Sequence, residues 1–256
     1  MSARILRVSR PVTAVPVDET RQAPAPASAP SASRRRRLAV RLAKGALWVA
    51  LGYYVACVAL LVVYRFVPPP MTGLQLQRCI EAWFGGDRCV QQIRHVAYST
   101  LPEHVGRAVV AAEDGRFWNH WGFDLEEMKD AATEVFDGDM PRGASTITQQ
   151  LMKNLFGGAG KNPVRKLYDV ALTLPAELIL PKERILELYL NNVEWAPSVY
   201  GVDAAARYHY GTRARNLSRS QAAGLAALLP NPLRRTPENT PRYRAEILRR
   251  MSHRGW

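Results

Sequence analysis

Glu113 and Asp114 stand side by side at the end of a run of small apolar residues, Ala108 to Ala112. Phe117, Trp118 and Trp121 follow, with His120 between them and Gly122 just beyond. A carboxyl group pressed against apolar and aromatic neighbours gives up its proton reluctantly, because burial penalises the charged form. Such a group suits general acid–base work near neutral pH, although the same pattern also serves structural ion pairs. A second cluster, "GASTITQQLMKN", gathers Ser145, Thr146, Thr148, Gln149, Gln150, Lys153 and Asn154. Gln149 and Lys153 are one helical turn apart on one side. A solvated face is normally rich in Lys and Glu, whereas this one carries Thr and Gln, the mixture that sugar hydroxyls and phosphate oxygens favour. A third, "RKLYD", sets Arg165 and Lys166 beside Asp169, with Arg165 and Asp169 spaced to pair along a helix. No spacing of metal ligands, phosphate-binding glycine loop or nucleophile elbow stands out.

The elements that must position these clusters read as helices. "LPEHVGRAVVAAEDGRFW" predicts a helix starting near Pro102, and "STITQQLMKNLF" one capped at Ser145 with Ile147, Leu151 and Leu155 four apart. "NPVRKLYDVALTLPAELIL" continues the pattern with a kink expected at Pro175, and "PKERILELYLNNV", "SRSQAAGLAALLPNP" and "PRYRAEILRRM" follow. No alternation is long enough to specify a sheet. The expected fold class is mostly α.

Of the 256 residues and the net charge of +13, residues 1–44 carry about +8. That segment is rich in Pro, Ala and Ser and cannot bury enough apolar surface to order itself, so it reads as a disordered basic tail. Charge on a tail, away from any base-reading face, excludes a nucleic-acid partner. Residues 45–64 then run without a charged residue, the length of one membrane-spanning helix. A cleaved signal peptide would have a shorter core and a small-residue cleavage site, which "YRFVPPP" does not offer. The expected organisation is a tail at 1–44, a transmembrane helix at 45–67, a connecting segment at 68–100 and a helical domain at 101–256. The basic side of the span is expected in the cytoplasm and the remainder outside, where Cys79 and Cys89 can form a disulfide.

Taken together, the clusters resemble the family 51 glycosyltransferases, the peptidoglycan polymerases, and in particular their monofunctional membrane-anchored members. "AEDGRFWNHWGFD" is similar to the family's E-D-x-x-F-x-x-H-x-G-F-D, and "GASTITQQLMKN" to G-x-S-T-I-T-Q-Q-L-x-K-N. "RKLYD" resembles R-K-x-x-E and "KERILELYLN" resembles K-x-x-I-L-x-x-Y-L-N, while "VYGVDAAARYHYG" and "NLSRSQAAGLAALLPNPLR" match the closing segments. The resemblance covers roughly residues 75–251. It implies a lysozyme-like, mostly α domain with a small membrane-associated jaw lobe, behind a single transmembrane helix.

The activity implied is joining of lipid II units by β-1,4 linkage with release of undecaprenyl diphosphate. Glu113 would be the general base, with Asp169 as the second catalytic acid. Lys153, Arg165 and Lys166 would meet the diphosphate. Asp114, Phe117, His120, Ser145, Thr146, Gln149, Gln150 and Asn154 would complete the substrate site. No cofactor is required by the resemblance; a divalent cation, Mg2+ or Mn2+, near the diphosphate is described for parts of the family, and nothing in this sequence fixes one. Partners would be lipid II, the growing glycan strand and membrane lipids, with other cell-wall synthesis and division proteins left open. The location would be the bacterial inner membrane, single-pass, with a periplasmic catalytic domain. Asp169 stands where the family has Glu, and Ala196 and Ser198 where it has Gly. These departures keep a catalytically degenerate scaffold in view, and a lytic enzyme is a third reading.

Overall fold

A computed structural model of the protein describes residues 32–136, 145–158 and 163–256. The chain divides into two units, residues 1–48 and 49–256. Helix α1 spans Ala32–Tyr64, and its stretch Ala39–Tyr64 is long and apolar enough to cross a membrane, with a mean hydropathy of 2.3. The helix begins twelve residues before the expected end of the disordered tail. Residues 32–44 are Ala, Arg, Leu and Lys rich, all good helix formers, and they extend a helix already nucleated by the apolar run.

In the second unit, residues 68–100 form part of the folded body instead of a mere connection. Helix α2 (Gly73–Phe84) starts on a capping box between Thr72 and Gln75, and packs on the segment Lys153–Gly157. Cys79 and Cys89 are joined as a disulfide, their Cα atoms 4.7 Å apart. Strand β1 (Gln92–Ile93) leads to helix α3 (Glu103–Glu113), which starts after Pro102. Helices α4 (Leu125–Phe136) and α5 (Ile147–Met152) come next, and α5 runs into a π-turn, Lys153–Gly157. Then come α6 (Pro163–Ile179) and α7 (Lys182–Asn192), followed by the short strands β2 (Glu194–Ala196) and β3 (Val199–Tyr200). Helices α8 (Val202–Tyr210), α9 (Arg219–Ala226) and α10 (Pro241–His253) close the chain.

The three strands form one sheet in the order β1-β3-β2, with β1 parallel to β3 and β2 antiparallel to it. Two or three residues per strand are too few to show a period of two, so no alternation announces this sheet. The core lies around α3, whose Val105, Ala108 and Val109 are buried with Ala222, Ala223 and Ala226 of α9. Small residues on α9 let the two helices approach closely, and α10 covers both.

Pro175 sits inside α6 and has no N–H, so it leaves the carbonyl of Ala171 without its helical donor. The Tyr54 hydroxyl of α1 donates to that carbonyl at 3.3 Å. Tyr53 donates to the Phe156 carbonyl in the π-turn at 2.6 Å, and Tyr168 of α6 donates back to the Ala50 carbonyl at 2.6 Å. The last four turns of α1 are therefore fastened to the elements that carry Lys153, Lys166 and Asp169.

Ser198, in the turn between β2 and β3, adopts φ 62°, the left-handed region where glycine costs least. Ala196 is not among the positive-φ residues and is buried against Val199 and Ala204, so an alanine fits there. Ser198→Gly is expected to raise stability. Relief of about 1–2 kcal/mol of left-handed strain outweighs the roughly 0.5–1 kcal/mol entropic cost of glycine. Thermal unfolding should shift up by about 2 °C; a lower Tm would contradict the strain.

Candidate active site

One cleft of about 1290 Å³ gathers most of the sequence-identified residues. Its lining includes Glu113 and Asp114 from the end of α3, and Ser145, Thr146, Gln149, Gln150 and Lys153 from around α5. Lys166 and Asp169 come from α6. The far wall, from α10 and the residues on either side of it, brings Arg235, Tyr243, Glu246, Arg250 and Arg254. The segment matches quoted for the closing region did not single these residues out. The arginine-rich composition of "RYRAEILRRM" was the available signal, but a basic helix face reads equally as a solvated one.

Glu113 ends the buried face of α3, which carries it to the cleft floor. Gln150 Nε2 donates to Glu113 Oε2 at 2.8 Å and also lies 3.3 Å from the Ser145 carbonyl. The Tyr189 hydroxyl donates to Gln150 Oε1 at 2.9 Å, which fixes the orientation of the amide. Glu113 Oε1 has no donor among the described residues. Burial pushes the Glu113 carboxyl up from the ordinary glutamate range, against the opposing pull of Gln150, Lys153 and Arg235. This is a carboxylate held by one oxygen, with raised basicity, on the lining of a large polar cleft.

Asp114 is buried, and both its oxygens are used. The backbone N–H of Ile147 donates to Oδ2 at 3.0 Å, tying α3 to the start of α5. Gly122 N–H donates to His120 Nδ1 at 3.0 Å, which leaves Nε2 to donate to Asp114 Oδ1 at 2.8 Å. Gly122 has φ 77°, and a Cβ there would meet Thr173 Cγ2 at 2.3 Å, so only glycine fits. The expected cap of α5 was Ser145; the actual one is Thr146, in a capping box with Gln149. The spacing Thr146-x-x-Gln149 carries that signal, whereas Ser145 would place Thr148 at the third position. Thr146 Oγ1 also donates to the Gly122 carbonyl at 2.7 Å.

Three expected substrate residues do not line the cleft. Phe117 is 0% exposed, with the Lys182 ammonium 4.5 Å from its ring centre, so it is a core residue. His120 has both ring nitrogens occupied, and it positions Asp114 instead of touching the cleft. Asn154 is 5% exposed within the π-turn. Asp169 is buried at the cleft edge and also lines a cavity of about 150 Å³ with Tyr53 and Tyr168. The Arg165 side chain lies outside the described residues, and with it the expected Arg165–Asp169 pair.

Asp114, His120 and Asp124 place three donor atoms within 4.8 Å of one another. They do not fit a metal ion, because their oxygens and nitrogen are already committed. Arg116 forks onto both oxygens of Asp124 at 2.9 and 2.7 Å, and its charge would repel a cation. The Asp124 carboxyl is accordingly held below the ordinary range, first by that Arg116 hydrogen bond.

With this geometry in view, comparison with known proteins gives a consistent picture. A family model described as Transglycosylase matches residues 83–252. A biosynthetic peptidoglycan transglycosylase of Pseudomonas entomophila (strain L48) is 42% identical over 219 residues, 84% of this chain and 91% of that protein. One from Pseudomonas fluorescens (strain Pf0-1) is 46% identical over 192 residues, 75% of this chain and 78% of that protein. Another, from Ectopseudomonas mendocina (strain ymp), is 44% identical over 200 residues, covering 78% and 81% of the two chains.

Proposed function

The chain belongs to the transglycosylase family, and on that premise we propose that it polymerises lipid II, with Glu113 as the general base. Its activity is peptidoglycan transglycosylation, a glycosyl transfer. In the proposed step, Glu113 Oε1 takes the proton from the 4-hydroxyl of the acceptor sugar. The O4–C1 bond forms as the bond from C1 to the diphosphate oxygen breaks, and undecaprenyl diphosphate leaves. A sugar hydroxyl is a weak nucleophile at neutral pH, so a base of raised pKa is what the reaction needs. Lys153, Lys166 and Arg165 would meet the charge that builds on the leaving diphosphate. Asp169 would hold Arg165 or reach the same diphosphate.

The observation that carries this reading is Glu113, fixed through one oxygen by Gln150, in one large cleft with Lys153 and Lys166. Ala196 and Ser198 do not line that cleft, so their departure from glycine does not weigh against activity. The test is to give full-length protein lipid II in one reaction and finished glycan in another. Strands that lengthen from lipid II support the polymerase; soluble fragments from finished glycan would mark a lytic enzyme. Binding of lipid II without turnover would mark the degenerate scaffold.

We place the catalytic unit in the periplasm, beyond an inner-membrane anchor, because Arg34 to Arg37, Arg41 and Lys44 crowd just before the apolar span. A phosphatase fused after Trp256 is expected to be active. Silence there, with a cytosolic reporter active at the same position, would reverse the topology.

A further inference from the structure

Arg254 lines the cleft beyond the residues matched by the family model, which end at 252. Its guanidinium lies across Gly115, two residues after Glu113: a Cβ added at Gly115 would stand 2.4 Å from Arg254 Nη2. The Trp256 ring supports the guanidinium from 5.5 Å. Among the described residues, no carboxylate or carbonyl pairs with Arg254. On the same wall, Arg250 is bonded to Glu246 and reaches the Ala111 carbonyl, while Arg235 donates to the Ala227 carbonyl and lies over Tyr243. Their charge is held by neighbours, and that of Arg254 is presented to the cleft.

We propose that Arg254, laid over Gly115, is an anion-binding residue of the cleft that recognises an oxyanion of the saccharide substrate. It stands on the α10 side of Glu113, whereas Lys153 and Lys166 come from the α5–α6 side. A transfer between two lipid-linked saccharides brings anions to both sides of the base, and the family-matched lysines account for only one. The oxyanion is a carboxylate of the peptide stem or a phosphate of the second diphosphate. A guanidinium fork suits either, and the missing side chain of Gly115 is what lets the guanidinium lie this close to the backbone beside Glu113. The inference rests on the polymerase reading, with lipid II as the substrate.

The test compares wild type, Arg254→Gln and Arg254→Lys in full-length protein, using lipid II with free stem carboxylates and lipid II with those carboxylates amidated. Arg254→Gln is expected to raise KM about fivefold with kcat within twofold, and Arg254→Lys to recover part of the loss. If the wild-type advantage vanishes on amidated substrate, the anion is the stem carboxylate; if it persists, the anion is the diphosphate. An unchanged KM for Arg254→Gln on both substrates, with wild type active, overturns the inference alone. Equilibrium binding of fluorescent lipid II to Glu113→Gln protein, with and without Arg254→Gln, reads the same site without turnover. Equal affinity of the two variants overturns the inference, and no binding by either overturns the polymerase reading with it.

Discussion

Glu113→Gln is expected to lower the polymerisation rate about 10³-fold while leaving the protein folded. Glutamine is nearly the same shape, and its Oε1 can still accept from Gln150 Nε2, so only the proton acceptor is lost. The variant should be at least as stable as wild type at neutral pH. Burial raises the Glu113 pKa above its unfolded value, so its protonated form is the one the fold favours. That contribution is present below the unfolded pKa and is lost as pH rises through the folded pKa. At pH 7 the wild type therefore carries a desolvated charge that glutamine removes. The same shift sets the activity profile: wild-type kcat/KM should rise with pH along a limb above the ordinary glutamate value of about 4.3, as the base deprotonates. The residual rate of Glu113→Gln should lack that limb. A variant within tenfold of wild type, or one that keeps the limb, would remove Glu113 from its role.

The second large effect is expected at Asp114, for a different reason. Asp114→Ala strands the His120 Nε2–H and the Ile147 N–H in a buried site, at a cost of about 3 kcal/mol. Thermal unfolding should fall by roughly 6–12 °C. Polymerisation should drop more than 10²-fold, because the start of α5 is no longer fixed against the end of α3, where Glu113 meets Gln150. Asp114→Asn, which keeps one acceptor, should lie between the two. If Asp114 only touched substrate, the activity would fall and the Tm would not. Differential scanning calorimetry beside the rate assay separates the two cases.

Helices α3, α5, α6, α7, α9 and α10 and the membrane span were legible because each has a period or a length that solvent and bilayer impose, whereas α2, α4 and α8 were not expected. The clustering of Glu113, Gln150, Lys153, Lys166 and Asp169 was legible only through the resemblance, since these residues come from four separate elements. Residue type misled where a polar or aromatic side chain has a structural partner. Phe117 and His120 have the chemistry of ligands, yet the one packs under Lys182 and the other completes the hydrogen bonding of Asp114. No spacing rule announces such partners, because they come from elements distant in sequence. The α10 wall was hidden for the same reason: a helix carrying Arg250, with Arg254 just past its end, shows its role only when α3 is placed against it. Tyr54 and Pro175 were equally silent apart, as a missing N–H and a hydroxyl more than a hundred residues away meet only in the fold.

The most direct test counts products in one reaction: full-length protein in lipid bilayers is given lipid II, and undecaprenyl diphosphate released is measured against β-1,4 linkages formed. One diphosphate per linkage, in strands of increasing length, is the predicted result. Release of diphosphate without linkage, or lipid II left unconsumed, would contradict the assignment of this cleft to polymerisation.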